Sequence, residues 1–487
     1  MSRAFLLRCA PVLALSLAAC GGGGGSGGGP TGPPSPNPPG ETPPPSTSED
    51  LVVEWDGEGR SWGEPVTLTA TVTDGVDGDR IEWISRDDHY RDDPVVLGVG
   101  PVLTTQALRP GTTTVEARLL NGSGDVVASA TADVSVSYRQ SWRVLEEGMV
   151  GFPDGTTADV WVADGHAFVA RRSAGGISIV DLSSLNEVGR YTAPTLDTGD
   201  VKVANGIAYL THEPDRDAQH PHSVTFLDVS TPRGPVVLGG VPVEEVPRAH
   251  NVFVEGTVLA IAPQSGGGGI NLYDVSDPAA PERIDRFSAL QGRPHDVYLR
   301  DGRVYGSIMP SSIGNGGLVI ADVSGGAATI VAEITYPKSF THSAWLSADG
   351  TVLYIADERV NAPIRIYDVS NPGDPRPLGT YQPRLGTIPH NWLVKDDRFA
   401  YLAHYKHGLE VLDVSDPANP ELIGFYDTHP GAANDDLLFG AAPATGLRTA
   451  HEQSVFEGAW GVHWDETGRI VVSDVNRGLF VFRFTGP

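Results

Sequence analysis

The feature that most constrains this chain is a repeat. An apolar strand closed by aspartate occurs as Ile177-Ser178-Ile179-Val180-Asp181, and again as Val224–Asp228, Ile270–Asp274, Leu318–Asp322, Ile364–Asp368 and Leu409–Asp413. A seventh copy, Leu479-Phe480-Val481-Phe482-Arg483, has lost the aspartate. Successive aspartates lie 45–48 residues apart. That period is the length of a four-stranded propeller blade, a unit that buries its faces only against neighbouring copies of itself. In the sixth unit Trp392-Leu393-Val394 reads as the inner strand and Phe399–Ala403 as the second. The aspartate strand is third and Glu421–Tyr426 fourth. The connection from third to fourth, Asp-Val-Ser-Asp-Pro at Asp274–Pro278 and Asp413–Pro417, reads as structural. Aspartate and serine bond nearby backbone N–H groups, and proline sets the turn.

Each unit resembles the LVIVD-type repeat family, whose name spells the third strand. The resemblance runs over roughly 340 residues and implies an all-β chain ending in a seven-bladed β-propeller at 141–487. The last unit lacks its own fourth strand. Trp142–Glu147 precedes the first unit and has the pattern of an orphan strand, so 141–148 is expected to complete the last blade and close the ring. One long insertion, 427–460, interrupts the pattern and carries Asp435, Asp436, His451 and Glu452. A connection of that length inside a compact domain is a candidate functional loop.

Ahead of the repeats, 49–138 alternates polar and apolar residues over Val66–Val72, Thr114–Leu119 and Ala130–Val136. Asp74-Gly75, Pro110-Gly111 and Asn121-Gly122 punctuate these strands as turns. The stretch resembles the immunoglobulin-like and PKD-like modules of bacterial surface proteins, so a small β-sandwich acting as a spacer is expected there.

The first nineteen residues have the form of an export signal. Arg3 and Arg8 precede an apolar run too short to span a bilayer. Leu17-Ala18-Ala19-Cys20 resembles the lipobox of bacterial lipoproteins, which implies lipidation at Cys20. A Gly/Pro-rich stretch, 20–48, follows as a tether that cannot bury a core. Gly21 after that cysteine is not the aspartate that retains some lipoproteins at an inner membrane, so an outer-membrane or cell-surface location is expected. Cys9 and Cys20 are the only cysteines, so the folded part relies on buried core, not on disulfides. A formal charge of −27, from 61 acidic and 34 basic residues, opposes binding to nucleic acid and anionic lipid headgroups. Membrane association through the lipid alone is the expectation.

No nucleophile elbow, phosphate loop, dinucleotide fingerprint or HExxH helix is present. Alignment of the repeats yields one constellation. His250, His295, His342 and His390 open the inner strands of four consecutive units, where the other three have Ala158, Gly199 and Trp460. Inner strands line a propeller's channel, and the ends of second strands share its rim, which adds His212, Asp357 and His404 as candidates. Imidazole and carboxylate together form a ligand set for a divalent transition metal. A structural role competes with that reading, because propellers of the WD-repeat type hold a blade together with a histidine near the inner strand. Trp161, Trp345, Trp392 and Trp464 read as packing between blades.

Two functions stay open. One is a non-catalytic, membrane-anchored binding module that presents a propeller face to a protein or glycan partner. The other is a metal-dependent enzyme with a histidine-lined site at the channel mouth and the insertion as a lid.

Overall fold

The structure, a computed structural model, describes residues 51–56, 59–73, 80–86, 94–193, 196–214, 220–264, 268–311, 316–430 and 457–487. Cys20, the signal and the tether lie outside the described residues, as does the insertion from 431 to 456. All regular secondary structure within the described residues is β-strand.

From Thr157 onward the strands group into seven antiparallel sheets, six of them four-stranded meanders and the seventh a three-stranded one, with strands from residues 141–150 added to the sixth and seventh. The first blade runs Thr157–Ala163, His166–Arg171, Ile177–Asp181 and Asn186–Tyr191. Its inner strand packs on the inner strands of the second and seventh blades, so the succession of sheets returns on itself. Third strands are buried along their length, Ile177–Asp181 and Leu409–Asp413 alike, because blades cover them on both faces. This is why the repeats read as continuous apolar runs without alternation. Fourth strands are mostly exposed or half-buried, as in Glu282–Phe287, except Glu421–Tyr426 of the sixth blade, which is mostly buried.

The recurrent aspartates build turns. The Oδ1 atoms of Asp181, Asp228, Asp274, Asp322, Asp368 and Asp413 each accept the backbone N–H two residues on, at 2.8–3.0 Å. In every case the acceptor serves the serine of the turn motif, and the carboxyl sits below its ordinary range because the serine bonds favour the charged form.

Ring closure follows the expected route with one addition. Val144–Val150 pairs antiparallel with Gly478–Phe484 and completes the seventh blade. Just before it, Ser141–Trp142 pairs with the outer strand Glu421–Tyr426, giving the sixth blade a fifth strand. Arg143, at φ 55°, turns the chain from one blade to the next.

The preceding module consists of two sheets sharing one core. Leu51–Asp56, Val66–Val72 and Val102–Thr105 form the first. Val95–Val99, Arg80–Ser85, Gly111–Leu120 and Val126–Val136 form the second. Trp83, Leu68, Val115 and Val134 are fully buried between them.

This core continues into the sixth blade through Leu385, Leu422 and Phe425. The Trp62 ring lies 3.6 Å from Phe425, centroid to centroid, and the Arg384 guanidinium covers Trp62 at 3.9 Å. Leu385 N–H donates to Ala107 O at 2.7 Å, and Tyr138 Oη donates to Asp427 Oδ2 at 3.0 Å. The module is therefore docked on the propeller.

Candidate functional site

The inner strands carry the site at a defect in their pairing. In the third blade Ala249 pairs with Pro263 and Asn251 with Ala262, leaving His250 as the extra residue of a bulge. The same slip places His295 between the pairs Pro294–Ile308 and Asp296–Ser307. It also places His342 between Thr341–Asp357 and Ser343–Ala356. A bulge ejects one residue from the pleat and re-aims its side chain. Repeated in successive blades, it delivers a histidine from each to one axial pocket, with His390 continuing the series.

These four imidazoles form a contiguous arc. Ring centroids are 4.3 Å apart from His250 to His295, 4.3 Å from His295 to His342, and 4.2 Å from His342 to His390. The arc ends on Trp460, whose carbonyl accepts from His390 Nδ1 at 2.7 Å. Burial holds His390 down to about 3, and pushes His295 and His342 well below the ordinary histidine value. Those three rings are neutral at physiological pH.

Three further candidates are corrected. Asp357 ends its second strand, His212 lies two residues before the end of Ile207–Pro214 and His404 one residue beyond Phe399–Ala403, and none of the three lines the pocket. His212 is bonded inside its blade to Thr198 and Thr225 at 3.0 and 2.9 Å. Asp357 Oδ1 accepts from Tyr336 Oη and Phe340 N–H at 2.8 and 3.0 Å. His404 faces Glu410, 3.2 Å away. Side chains alternate along a strand, so the residue one step later takes the opposite direction. Those next residues are Glu213, Glu358 and Tyr405, and it is they that meet the histidines. His250 Nδ1 donates to Glu213, which also pairs with Arg248 at 2.9 Å. Tyr405 Oη donates to Glu358, and its ring lies 4.5 Å from that of His390. The alternation was available in the sequence; its phase at the strand ends was not.

Protons on the arc can be followed atom by atom. In the neutral ring, His250 gives its Nδ1 proton to Glu213 and keeps a lone pair on Nε2. That lone pair faces His295 Nε2 at 2.9 Å, which therefore carries the proton between them. His295 Nδ1 and His342 Nδ1 are both buried and make no hydrogen bond of good geometry. Nitrogen and carboxylate donors from His295, His342 and Glu358 lie within 4.8 Å of one another. Burial raises Glu358 above the ordinary glutamate value, partly offset by the Tyr405 hydrogen bond.

Beyond the arc the channel carries charge and is then lined by rings. Lys202 Nζ bonds Asp159 Oδ2 at 2.8 Å and Asp200 Oδ1. Burial pushes Asp296 beside them up to about 7. Three residues after Ala158, His250, His295 and His342 come Trp161, Phe253, Tyr298 and Trp345. Trp345 stacks on Tyr298 at 4.2 Å, and Phe253 lies edge-on to Trp161 at 5.9 Å. Trp161 and Trp345 line the channel together with Trp392 while also packing on the cores between blades. Trp392 stacks on Tyr354 and Trp464 packs in the core between blades, as expected. The cavity itself is small, about 70 Å³.

The LVIVD repeat profile matches residues 154–193 and 394–428, parts of the first and sixth blades. A search of curated proteins finds no match. Among solved structures, the Cps50 (Swd1) β-propeller domain of "Myceliophteria thermophila" is 11% identical with a TM-score of 0.48, covering 70% of this chain and 98% of its own. A streptogramin B lyase structure is likewise 11% identical with a TM-score of 0.48, covering 70% of this chain and 97% of its own.

Proposed function

We propose that this chain is an exported, membrane-tethered propeller whose axial mouth binds a divalent transition metal. The observation that carries this reading is the convergence of His295, His342 and Glu358 within 4.8 Å, with a buried Nδ1 on each histidine that makes no hydrogen bond of good geometry. A buried nitrogen left so is costly unless something satisfies it, and a cation with open coordination positions does so directly. Two imidazoles and one carboxylate suit zinc or ferrous iron and leave positions for another ligand. Tyr405 orients Glu358, and Glu213 orders the protons of the arc from its far end, as the partners of metal ligands do. The lipobox-like Leu17–Cys20 and the Gly/Pro-rich 20–48 support a lipid anchor at Cys20 and an outer-membrane or cell-surface site of action.

Metal analysis of the purified protein tests the site. About one transition metal per chain, lost in His295→Ala and His342→Ala and retained in His212→Gln, is the expected result. A folded wild-type protein that stays metal-free after incubation with zinc or ferrous iron would remove the metal reading. Presentation of the propeller face to a protein or glycan partner would then stand, with the histidines as struts between blades. Labelling with a palmitate analogue, lost in Cys20→Ser, tests the anchor.

A further inference from the structure

The seat of Lys202 points to what the channel beyond the arc can hold. Side chains two residues apart on a strand share a face. On the second blade that pair is Asp200 and Lys202. The Lys202 ammonium has three N–H donors, and Asp159 Oδ2, Asp200 Oδ1 and the Val201 carbonyl take them. Its Nζ also lies 5.3 Å from the centre of the Trp161 ring, within reach of a cation–π contact. Carboxylates and an aromatic face together enclose a primary ammonium.

The fourth blade repeats this seat without the ammonium. Its corresponding pair is Asp296 and Tyr298, in regular register with Ser307 and Tyr305. The Tyr298 ring lies 5.0 Å from Phe253 and 4.2 Å from Trp345, centroid to centroid. Phe253 and Trp345 are half-buried and line the channel, as Asp296 does. Among the described residues the Asp296 carboxylate accepts one hydrogen bond, from the Val297 N–H at 2.7 Å, and forms no ion pair. An unpaired carboxylate withdrawn from bulk water is costly, and a cation offsets that cost. Aromatic faces add to the attraction when the cation is organic. We propose that the channel binds a small primary alkylammonium group, held by Asp296 and the rings of Phe253, Tyr298 and Trp345. The cavity of about 70 Å³, at about 10–15 Å³ for each water-sized group, has room for about five non-hydrogen atoms. This site lies beyond the arc and stands whether or not a metal occupies His295, His342 and Glu358.

The test titrates the full-length protein at pH 8 with n-butylammonium and with butan-1-ol, a neutral counterpart with the same number of non-hydrogen atoms. Isothermal titration reads the affinity, and tryptophan fluorescence reports from Trp161 and Trp345 on the channel wall. Expected are saturable binding of the ammonium, binding of the alcohol weaker by about tenfold or more, and a similar loss of ammonium affinity in Asp296→Asn. Equal affinity for the two probes, equal ammonium affinity in wild type and Asp296→Asn, or no saturable binding of the ammonium would overturn the inference. The comparison of ammonium with alcohol needs no variant, so it decides the matter even where Asp296→Asn fails to fold. Ammonium binding that disappears when a chelator strips bound metal would also overturn it, by assigning the probe to the metal.

Discussion

The Tyr405 hydroxyl donates to Glu358 Oε1 across the boundary between the sixth and fifth blades. Tyr405 does this from a left-handed backbone, φ 52°, which a bulky residue adopts only at a cost. Two backbone bonds to the seventh blade hold it there, Tyr405 N–H to Ala459 O and Ala459 N–H to Tyr405 O, both 2.8 Å. Three blades thus cooperate to orient one carboxylate.

If Glu358 is a metal ligand, Tyr405→Phe removes its support without touching a donor atom. We expect metal still to bind, with affinity lower by about 10- to 100-fold. Competition against a chelator of known affinity measures this. Unchanged affinity would show that Tyr405 serves only the packing between blades.

Asp296 lends the pocket a pH signature of defined sign. Its folded-state value, about 7, lies above the ordinary aspartate value of 3.8. A raised value means that the folded state holds the proton more tightly than the unfolded chain. Its stability contribution is therefore full below the unfolded value and lost as pH climbs through the folded one. Asp296→Asn should stabilise the protein at pH 8, by on the order of 1–4 kcal/mol, and change little at pH 3.5. Denaturant melts at the two pH values decide it, and an equal effect at both would refute the assignment.

Docking of the two-sheet module rests on Trp62, which is 1% exposed and lies against Phe425 and Arg384. Trp62→Ala should cost about 3–5 kcal/mol. It should also separate unfolding of the module from that of the propeller. Calorimetry would show two transitions where the wild type shows coupled melting.

Ring closure depends on Val144, 1% exposed and in one core with Phe480 and Phe482. Placing a carboxylate there with Val144→Asp should cost several kcal/mol. Amide protection should fall first in Val144–Val150 and Gly478–Phe484, the pair that closes the ring. Uniform loss of protection across all blades would mean that closure is not a local event.

The chain's own order of residues determined the propeller, the repeating unit, the closing strand and the four histidines at equivalent positions. Those are matters of period, and period survives in one dimension. It also marked the aspartate turns as structural, because an aspartate bonding the serine two residues on needs no distant partner.

The tertiary structure alone decided which way each residue at a strand end points. Bulges before Asn251, Asp296 and Ser343 turn a histidine toward the axis. Glu213, Glu358 and Tyr405 turn toward the histidines while His212, Asp357 and His404, each one residue earlier, turn into their blades. Hydrogen-bond register with a neighbouring strand sets that phase, and a slip of one residue reverses it. The contact between the module and the sixth blade, and the convergence of donors from the fourth and fifth blades, likewise arise only when distant segments pack together.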